Sequence, residues 1–490
     1  MLPLAIVCAP WLSLIGALLF GRRQPPWLAK ATYVASPILT LILMLPLYPL
    51  VGGTAASGAS IELNLVEMAP GINLGFRVDT LGYYFGLLLA TLWVLAGVYS
   101  LGYIHTKETR YYLFLALNLS FCLGVVYSAN MFTLFIFYEL MGLFTFPLII
   151  HTETEKARRA GLKYLVYTLS AGAVLLAALI LQFYYGGTLS FQGHGIFAPT
   201  EVGRAVLLVI FAIYMAGFGV KACLMPLHGW VPDAHPAAPA PASALLSGVI
   251  LKMGVFGIIR VLHDVFGLEL LRDLGVSLPM MFIAGFTIVT ASLFAITQDD
   301  LKRRLAYSSV AQVSYVILGL FMLSPRDGTL GGILHVAHHA VMKGTLFLCA
   351  GIIAHETGKH KVSELQGVGA RLPLTMTAFT IAALGMMGMP LTCGFISKWL
   401  LGLGAISMQQ PAFIAVLLVS SLLNAVYFLP IIYTAFFRED ASQSPTGAET
   451  SKTMLVPTLV CVAFVLLLGI FATAPGLPLS LVELVVGALT

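Results

Sequence analysis

Residues 217–260, GFGVKACLMPLHGWVPDAHPAAPAPASALLSGVILKMGVFGIIR, carry the strongest evidence for the fold of this protein. It carries two lysines, Lys221 and Lys252, inside apolar sequence that is otherwise typical of membrane helix. Five prolines stand between them: Pro226, Pro232, Pro236, Pro239 and Pro241. Charge at membrane depth is costly unless it is partnered or hydrated, and irregular backbone there must be satisfied by protein or by a wet cavity. The stretch therefore indicates a functional interior, although a lysine pair that only joins helices would give the same pattern.

Composition places this stretch in an integral membrane protein. Of the 490 residues, 59% are apolar and 10% are charged, and the mean hydropathy is +0.95. The 26 Lys and Arg exceed the 21 Asp and Glu only slightly, so the charge balance does not indicate a nucleic-acid-binding protein. The first apolar segment has no basic flank ahead of it and no small-residue cleavage site, so we expect a membrane span rather than a removed signal peptide.

The six cysteines stand singly in apolar segments, without a C-x-x-C motif or a Cys/His cluster. We therefore expect no iron–sulfur centre, no zinc site and no disulfide framework. We also find no site for a flavin or a nicotinamide, so we expect the chain to hold no cofactor. Any redox chemistry would then belong to partner subunits, and whether the assembly is an enzyme stays open.

Segment lengths predict an all-α integral membrane protein with about fourteen transmembrane helices, because a span needs about 20 apolar residues. The predicted spans lie near 2–20, 28–50, 79–104, 112–129, 131–151, 162–186, 204–223, 240–263, 278–297, 305–323, 329–354, 374–406, 411–436 and 454–474. The seventh and twelfth are interrupted by Pro and Gly. We expect one polytopic domain over 1–490. Its predicted parts are 1–111 with helices 1–3, 112–265 with helices 4–8, 278–436 with helices 9–13, and 454–490 with helix 14 and a tail.

Loop charge predicts the orientation in the membrane. Loops after odd-numbered spans carry about four times as many Lys and Arg as loops after even-numbered spans, and such a bias marks the inner side. The chain is therefore predicted to lie in the cell inner (cytoplasmic) membrane with both termini on the outer side. In one outer loop, the alternating ASIELNLVEM, residues 59–68, predicts a short hairpin with a structural role.

Glu139 is the only carboxylate that we place at mid-membrane, in MFTLFIFYELMGLFTFPLII. An isolated charged Glu would neutralise, so we expect a buried cation beside it, with Lys221 as the candidate. A static salt bridge is one interpretation. The other is that the separation of the pair controls the proton on the lysine. Lys252 suits a proton relay because lysine, unlike arginine, can deprotonate in a dry site.

The eleventh span, GGILHVAHHAVMKGTLFLCAGII, carries a polar stripe. His335, His339 and Lys343 fall at i, i+4 and i+8 and therefore line one helix face, whereas His338 faces elsewhere. A neutral imidazole accepts a proton at one nitrogen and releases one from the other, so the stripe is a candidate proton wire. The alternative is a polar face that hydrogen-bonds adjacent helices.

Lys398 follows a second interruption, GMMGMPLTCGFISKWLL, in which Gly and Pro weaken the helix. Two broken spans, each with one lysine near the break, occupy corresponding positions of spans four to eight and nine to thirteen. This arrangement predicts two inverted five-helix repeats, as in many transporters.

Two polar loops hold weaker candidates for gating or proton access. Their residues are His228, Asp233 and His235 in the Pro-rich connection, and Asp300, Lys302 and Arg304 in QDDLKRRLAYSSVAQ. Structural pinning of the loops is the alternative. Tyr307, Ser308 and Ser309 would extend this polar path into the tenth span.

These motifs together carry a family resemblance. HGWVPDAHPAAPAPASALLSGVILKMG, DDLKRRLAYSSVAQ, HHAVMKGTLFLCAG and FYELMG resemble the antiporter-like subunits of respiratory complex I, group 4 membrane-bound hydrogenases and Mrp sodium/proton antiporters. The resemblance covers nearly the whole chain. It implies fourteen helices in two inverted repeats, a hydrophilic axis at the membrane midplane, and partner subunits in a hetero-oligomeric complex.

The resemblance also implies roles for five residues, which match the family's proton-transfer positions: Glu139, Lys221, Lys252, His339 and Lys398. M-type relatives in complex I usually carry glutamate at the last position, whereas GFISKW resembles the D-type Mrp and N-type complex I relatives. L-type relatives usually add a lateral helix, for which a chain ending at Thr490 has no room. We therefore expect the D-type subunit of an Mrp Na⁺/H⁺ antiporter, with an N- or M-type subunit of complex I or of a group 4 hydrogenase as the alternative.

The predicted function is proton translocation along the Glu/Lys/His axis, with protons and sodium as the ions concerned. A transporter of organic ions would need a selective polar pocket, and a sodium channel would need clustered oxygen ligands at mid-membrane. The chain offers one carboxylate and a line of titratable groups instead. A purely structural scaffold would not retain ionisable residues in five spans.

Overall fold

The computed structural model describes residues 1–20, 27–52, 60–198, 202–324, 326–438 and 449–489 as an almost entirely helical protein. The N-terminal part contains α1 (Leu2–Cys8), α2 (Trp11–Phe20), α3 (Trp27–Met44), a 3₁₀ turn (Leu45–Leu47), a π-helical turn (Tyr48–Gly52) and α4 (Thr80–Tyr103). The first predicted span is thus two helices, because the chain turns at Ala9 and Pro10 and Pro cannot continue a helix interior.

The predicted outer hairpin is present within the described residues. Strand β1 (Ile61–Ala69) pairs antiparallel with β2 (Ile72–Val78), with Ile61 opposite Val78. Residues 53–59, at the start of this loop, lie outside the described residues. Asp79 then begins α4 by accepting a hydrogen bond from the Gly82 amide at 2.8 Å, which satisfies a free donor at the helix start.

The helices of the first predicted repeat include and surround residues 217–260. They are α5 (Glu108–Val126), α6 (Met131–Ile149), α7 (Glu155–Gly186), α8 (Arg204–Lys221), α9 (Val231–Ala237), α10 (Ala240–Leu245) and α11 (Leu251–Arg260). Two π-helical segments, Leu246–Ile250 and Val261–Phe266, make α10 and α11 part of one continuous span, Ala240–Phe266. Every residue of its most apolar window is buried, so this span lies at the centre of the molecule.

The remaining elements lie in the connection after the central span, the second predicted repeat and the C-terminal part. They comprise α12 (Leu268–Leu274), α13 (Ser277–Ile296), α14 (Leu301–Phe321), α15 (Asp327–Thr357), a 3₁₀ turn (Val362–Glu364), α16 (Val368–Arg371), α17 (Pro373–Met387), α18 (Cys393–Ser407), α19 (Ala412–Phe437), α20 (Lys452–Ile470) and α21 (Pro478–Leu489). The 31-residue helix α15 is also fully buried over its most apolar window. Much of the predicted tail after residue 474 is helical, since α21 lies there.

Eleven of the described helices are long and apolar enough to cross a membrane. Both predicted breaks are present: α8 ends at Lys221 before α9, and α17 ends at Met387 before α18. The all-α membrane fold is therefore confirmed. A count of fourteen spans, the inverted repeats and the boundaries of the four parts stay predictions.

Candidate functional site

The first break surrounds Lys221, the last residue of α8. Cys223, just beyond it, has a left-handed φ of 61°, so the helix cannot continue. The loop that follows is held inside the protein because the Trp230 indole donates to the Val220 carbonyl at 2.9 Å and the Met225 amide donates to Thr287 Oγ1 at 3.2 Å. Lys221 is fully buried. Its ammonium therefore depends on protein groups, not solvent.

The Lys221 amine lies among aromatic groups. It donates a hydrogen bond to the Tyr164 hydroxyl of α7. Its Nζ lies 4.7 Å from the Tyr164 ring centroid and 5.9 Å from that of Tyr138. The Tyr164 hydroxyl in turn donates to the Gly142 carbonyl of α6 at 3.1 Å. A lysine proton can therefore be stabilised here by a phenol and by ring faces without a carboxylate.

Glu139 is half-buried on α6, and its Oε1 is buried without a hydrogen-bond partner. The expected ion pair with Lys221 is not formed: within the described part of the chain, no cation lies within 4.0 Å of this carboxylate. Tyr164 takes the lysine's hydrogen bond instead. The two groups are still neighbours, because a Cβ built at Gly142, one turn from Glu139, would lie 3.7 Å from Lys221 Nζ.

Lys252 is fully buried on α11, next to the first break. Its amine donates to the carbonyl of Ser247, which belongs to the π-helical segment. Ser247 Oγ also lies 2.7 Å from Ser309 Oγ of α14. A Cβ built at Gly254 would lie 2.8 Å from Lys221 Cβ, so α11 approaches the end of α8 closely here. This close approach brings the two lysine-bearing backbones together.

The stripe on α15 is buried and aligned as its spacing predicted. The rings of His335 and His339 stack nearly parallel with centroids 6.0 Å apart. His335 contacts Ser397 Oγ at 2.8 Å and Gln312 Oε1 at 3.0 Å, whereas neither ring nitrogen of His339 has a hydrogen-bond partner. Buried polar atoms are normally paired, so an unpaired imidazole indicates a place for water or for a transient proton donor.

Lys343 and Lys398 are both anchored to backbone carbonyls. The fully buried Lys343 donates to the Leu305 carbonyl at 2.9 Å. Lys398, one residue after the His335 contact Ser397, is half-buried and reaches back across the second break. It donates to the carbonyls of Met386 and Met387 at 2.7 and 3.2 Å and to Ser421 Oγ at 3.2 Å.

The weaker candidates in the α14 loop make structural contacts. Asp300 accepts from the Arg303 amide at 2.8 Å and so caps α14. Lys302 donates to the Ala238 carbonyl at 3.1 Å. Arg304 donates to the carbonyls of Gln298 and Tyr427 at 2.8 and 3.0 Å. These contacts fit the pinning interpretation, and a gating role stays a prediction.

The candidates in the Pro-rich connection differ from one another. Asp233 pairs with Lys163 at 2.6 Å and with Arg303 at 3.5 Å. These groups border a cavity of about 470 Å³ on the surface that carries the basic loops. His228 lies near Tyr307, with ring centroids 6.3 Å apart. His235 is fully buried, and both of its ring nitrogens lack a hydrogen-bond partner.

Polar residues on α14 and α19 form a path that the sequence did not reveal. Ser308 Oγ lies 2.7 Å from the Tyr427 hydroxyl, which donates to Asn424 Oδ1. The Asn424 amide donates to the Met386 carbonyl at 3.0 Å, and this carbonyl also accepts from Lys398. The path therefore joins the α14 polar face to the second break. Ser308 is a predicted extension of the polar loop, but Asn424 and Tyr427 give no signal in an apolar helix.

A second buried charge cluster lies away from the axis. Arg260, almost fully buried, pairs with Asp79 at 2.8 Å and with Asp264 at 3.1 Å. The cluster joins the start of α4 to the end of the central span. Because every charge in it is paired, a structural role accounts for it.

The described residues contain no group of three or more His, Cys, Asp or Glu side chains that is suited to a metal ion. All six cysteines are unpaired. The groups that the structure places along the axis are lysines, histidines, one carboxylate and neighbouring hydroxyl groups, which are proton donors and acceptors.

Residues 128–424 match the family described as NADH:quinone oxidoreductase/Mrp antiporter, TM. The chain belongs to this family. It is 36% identical over 401 residues to NADH-quinone oxidoreductase subunit N of Desulforudis audaxviator, covering 79% of each protein. The matched region includes every axis residue from Glu139 to Lys398.

Two solved structures share the fold. A chain of the membrane-bound sulfane sulfur reductase, an archaeal respiratory membrane complex, matches with a TM-score of 0.88 and 24% identity, covering 99% of this chain and 97% of that one. A chain of the Mrp complex from Dietzia sp. matches with a TM-score of 0.86 and 22% identity, covering 100% and 97%. The family match and the shared fold together describe this protein as a multi-pass, antiporter-like membrane subunit of the NADH:quinone oxidoreductase/Mrp antiporter family.

Proposed function

We propose that the chain translocates protons along Glu139, Lys221, Lys252, the α15 stripe and Lys398. The observation that carries this proposal is the burial of Lys221, Lys252, His335, His339 and Lys343 in one connected interior. Isolated charge in such an interior costs several kcal/mol, and a structural role would favour fully paired groups. His339 and Glu139 also have buried polar atoms without a hydrogen-bond partner among the described residues, which leaves these atoms available to water.

The switch in this proposal is the gap between Glu139 and Lys221. At about 4 Å and an effective dielectric constant near 20, a carboxylate and an ammonium attract each other by about 4 kcal/mol. This energy corresponds to a change in proton occupancy on the order of a thousandfold. Closing the gap would hold a proton on Lys221, and opening it would release the proton toward Lys252. A partner that moves α6 or α7 would drive this cycle.

Two parent complexes are candidates. The relative that is 36% identical is a subunit of an NADH-quinone oxidoreductase, which favours a redox-linked complex with this chain as an N-type subunit. The lysine in GFISKW also fits the D-type subunit of an Mrp Na⁺/H⁺ antiporter, and this remains the second candidate. In both cases the chain supplies the proton path, while the partners supply the redox reaction or the sodium coupling.

The proposed location is the cell inner membrane, with both termini on the outer side. The bias of Lys and Arg toward one set of loops supports this orientation. The cavity beside Lys163, Asp233 and Arg303 would then face the cytoplasm and give protons a polar approach. Cysteine labelling from each side of intact cells, at exposed helix starts such as Lys156 of α7 and Glu269 of α12, tests the orientation. Labelling of both positions from one side would contradict it.

Glu139→Gln and Lys252→Ala test the proton path. In inverted vesicles that contain the assembled complex, each change should lower proton translocation by about a hundredfold or more, because each removes a proton-carrying group. Assembly and membrane content should be unchanged. Lys452→Ala, at an exposed lysine on the first turn of α20, serves as the matched control and should transport normally. Normal transport by either axis variant would exclude that residue from the path.

Purification with native partners separates the two parent complexes. Copurifying iron–sulfur subunits would support the redox-linked assignment. Copurification of small membrane subunits only, together with sodium-dependent proton movement, would support the Mrp-type assignment.

A further inference from the structure

The Glu139 carboxylate occupies a slot that exists because residue 172 on α7 has no side chain. A Cβ built at Gly172 would lie 2.4 Å from Glu139 Oε2 and 2.5 Å from both Cδ and Oε1. The three nearest atoms all belong to the Glu139 carboxyl group, so the missing Cβ faces that group.

The consequences of filling this slot are unusual for a buried glycine. Many buried glycines of this chain face backbone or rigid rings, as Gly124 faces Phe137 and Gly257 faces Phe218. A methyl group at those positions would force helices apart. At Gly172 the obstructing atoms are the end of a flexible side chain, which can rotate away at little cost to packing. The carboxylate would move and the helices would stay.

We propose that Gly172 is a positioning residue that sets where the Glu139 carboxylate sits relative to Lys221, an inference that rests on the proposed proton path. The slot holds the carboxylate against α7, the helix that also supplies the Tyr164 hydroxyl to Lys221. The Glu139 carboxylate of α6 and the Lys221 amine of α8 thus both contact α7. A displacement of α7 relative to α6 and α8 would loosen both contacts and thereby act on the switch.

Gly172→Ala in the assembled complex tests this inference. Membrane content and assembly should match the wild type, while proton translocation should fall by about tenfold and the pH profile of the remaining activity should shift. Gly402→Ala is the matched control, since Gly402 lies on helix α18 and a methyl group added there would have no other group within 4 Å. That variant should keep the wild-type rate and pH profile.

A shorter acid provides the rescue. In Gly172→Ala/Glu139→Asp, the carboxyl group retracts by one methylene, and the double variant should transport better than Gly172→Ala alone. An infrared carboxyl band assigned to Glu139 by its absence in Glu139→Gln should shift in Gly172→Ala. This band reports the surroundings of the carboxyl group, which a general loss of packing elsewhere would leave unchanged.

The outcomes distinguish the positioning role of Gly172 from the proposed proton path on which it rests. If Gly172→Ala has a wild-type rate, pH profile and carboxyl band while Glu139→Gln is inactive, the positioning role is wrong and the proton path stands. If Glu139→Gln is also active, the proposed function itself fails. If neither Gly172→Ala nor the double variant accumulates in the membrane, the methyl group obstructs helix packing rather than Glu139, and the inference is overturned.

Discussion

The two broken helices place their lysines in opposite ways. In the first break, Lys221 ends α8, and its amine donates to one group, the Tyr164 hydroxyl. In the second, Lys398 lies beyond the break on α18, and its amine returns to two carbonyls at the end of α17 and to Ser421. Those carbonyls form the negative end of a helix dipole, which favours a cation. Lys398 is therefore anchored at the break by three hydrogen-bond acceptors. Lys221 has one acceptor and lies near a carboxylate that has no ion-pair partner among the described residues.

This difference in anchoring suits the two lysines to different tasks. A group that switches must exchange partners, and Lys221 has a single anchor with Glu139 nearby. A group that passes protons at a fixed point benefits from several anchors, as Lys398 has. We therefore expect substitutions at the first break to change transport with little change in stability, and substitutions at the second to change both.

The largest expected effect is at Lys221. Lys221→Ala and Lys221→Arg should both lower proton translocation by about a hundredfold or more, because neither side chain can take up and release a proton there. Vesicle assays with the assembled complex measure this loss. Normal transport by Lys221→Arg would show that a fixed charge suffices, and the proposed switch would be wrong.

Lys398→Ala should reduce transport and also lower thermal stability. The change leaves the Met387 carbonyl without its side-chain donor, at a cost of about 1–3 kcal/mol, whereas the Met386 carbonyl keeps the Asn424 amide. Lys398→Glu should keep part of the transport, since a carboxyl group also carries a proton. Thermal unfolding of the purified complex, with Lys221→Ala alongside, checks the comparison. Equal destabilisation by the two alanine variants would contradict the difference between the breaks.

A smaller pair of changes targets the anchors themselves. Tyr164→Phe removes the only hydrogen-bond acceptor found for Lys221 among the described residues, so transport should fall by about three- to tenfold. Ser421→Ala leaves Lys398 with two carbonyl acceptors and should change the rate by less than about twofold. Initial rates at several pH values measure both variants. A larger effect of Ser421→Ala than of Tyr164→Phe would contradict the conclusion that Lys398 is the more firmly anchored of the two lysines.

The smallest effect concerns the loop between α6 and α7. Hydrogen bonds from Lys107 and Arg110 lower the pKa of Glu153 to about 2 from an ordinary value near 4.5. The stabilisation from this carboxylate is therefore complete above about pH 4.5 and is lost as the pH falls through about 2. Glu153→Gln should flatten the acid dependence of thermal stability in that window and leave transport at neutral pH unchanged. An unaltered acid profile would exclude Glu153 as a contributor.

The sequence predicted the groups on the axis better than their partners. Gly388, which has a φ of 91°, and the prolines of the Pro-rich connection cannot continue a regular helix. Both interruptions can therefore be recognised in the sequence. Buried lysines are equally visible, because charge is rare in apolar spans. The rotation of each helix about its axis is not visible, since spans that are apolar all round carry little amphipathic signal.

The missed features follow from that limit. Tyr164 replaced Glu139 as the hydrogen-bond partner of Lys221, and nothing in the spacing indicates which side of α7 faces α8. Ser397, Gln312 and Asn424 are single polar residues of types that occur in many helices, so their contacts with the axis appear only in three dimensions. Helix α21 has 12 residues, fewer than the roughly 20 apolar residues by which membrane spans are recognised in the sequence.

Helix α15 has one further consequence through its length. At about 1.5 Å per residue, its 31 residues extend about 46 Å, well beyond the hydrocarbon thickness of about 30 Å. Such a rod must lean in the bilayer or project from it, and His335, His339 and Lys343 are fixed along it at one-turn intervals. Any tilt imposed at an exposed end would shift the depth of all three together, so a neighbouring protein could act on this row by leverage without touching any of its members.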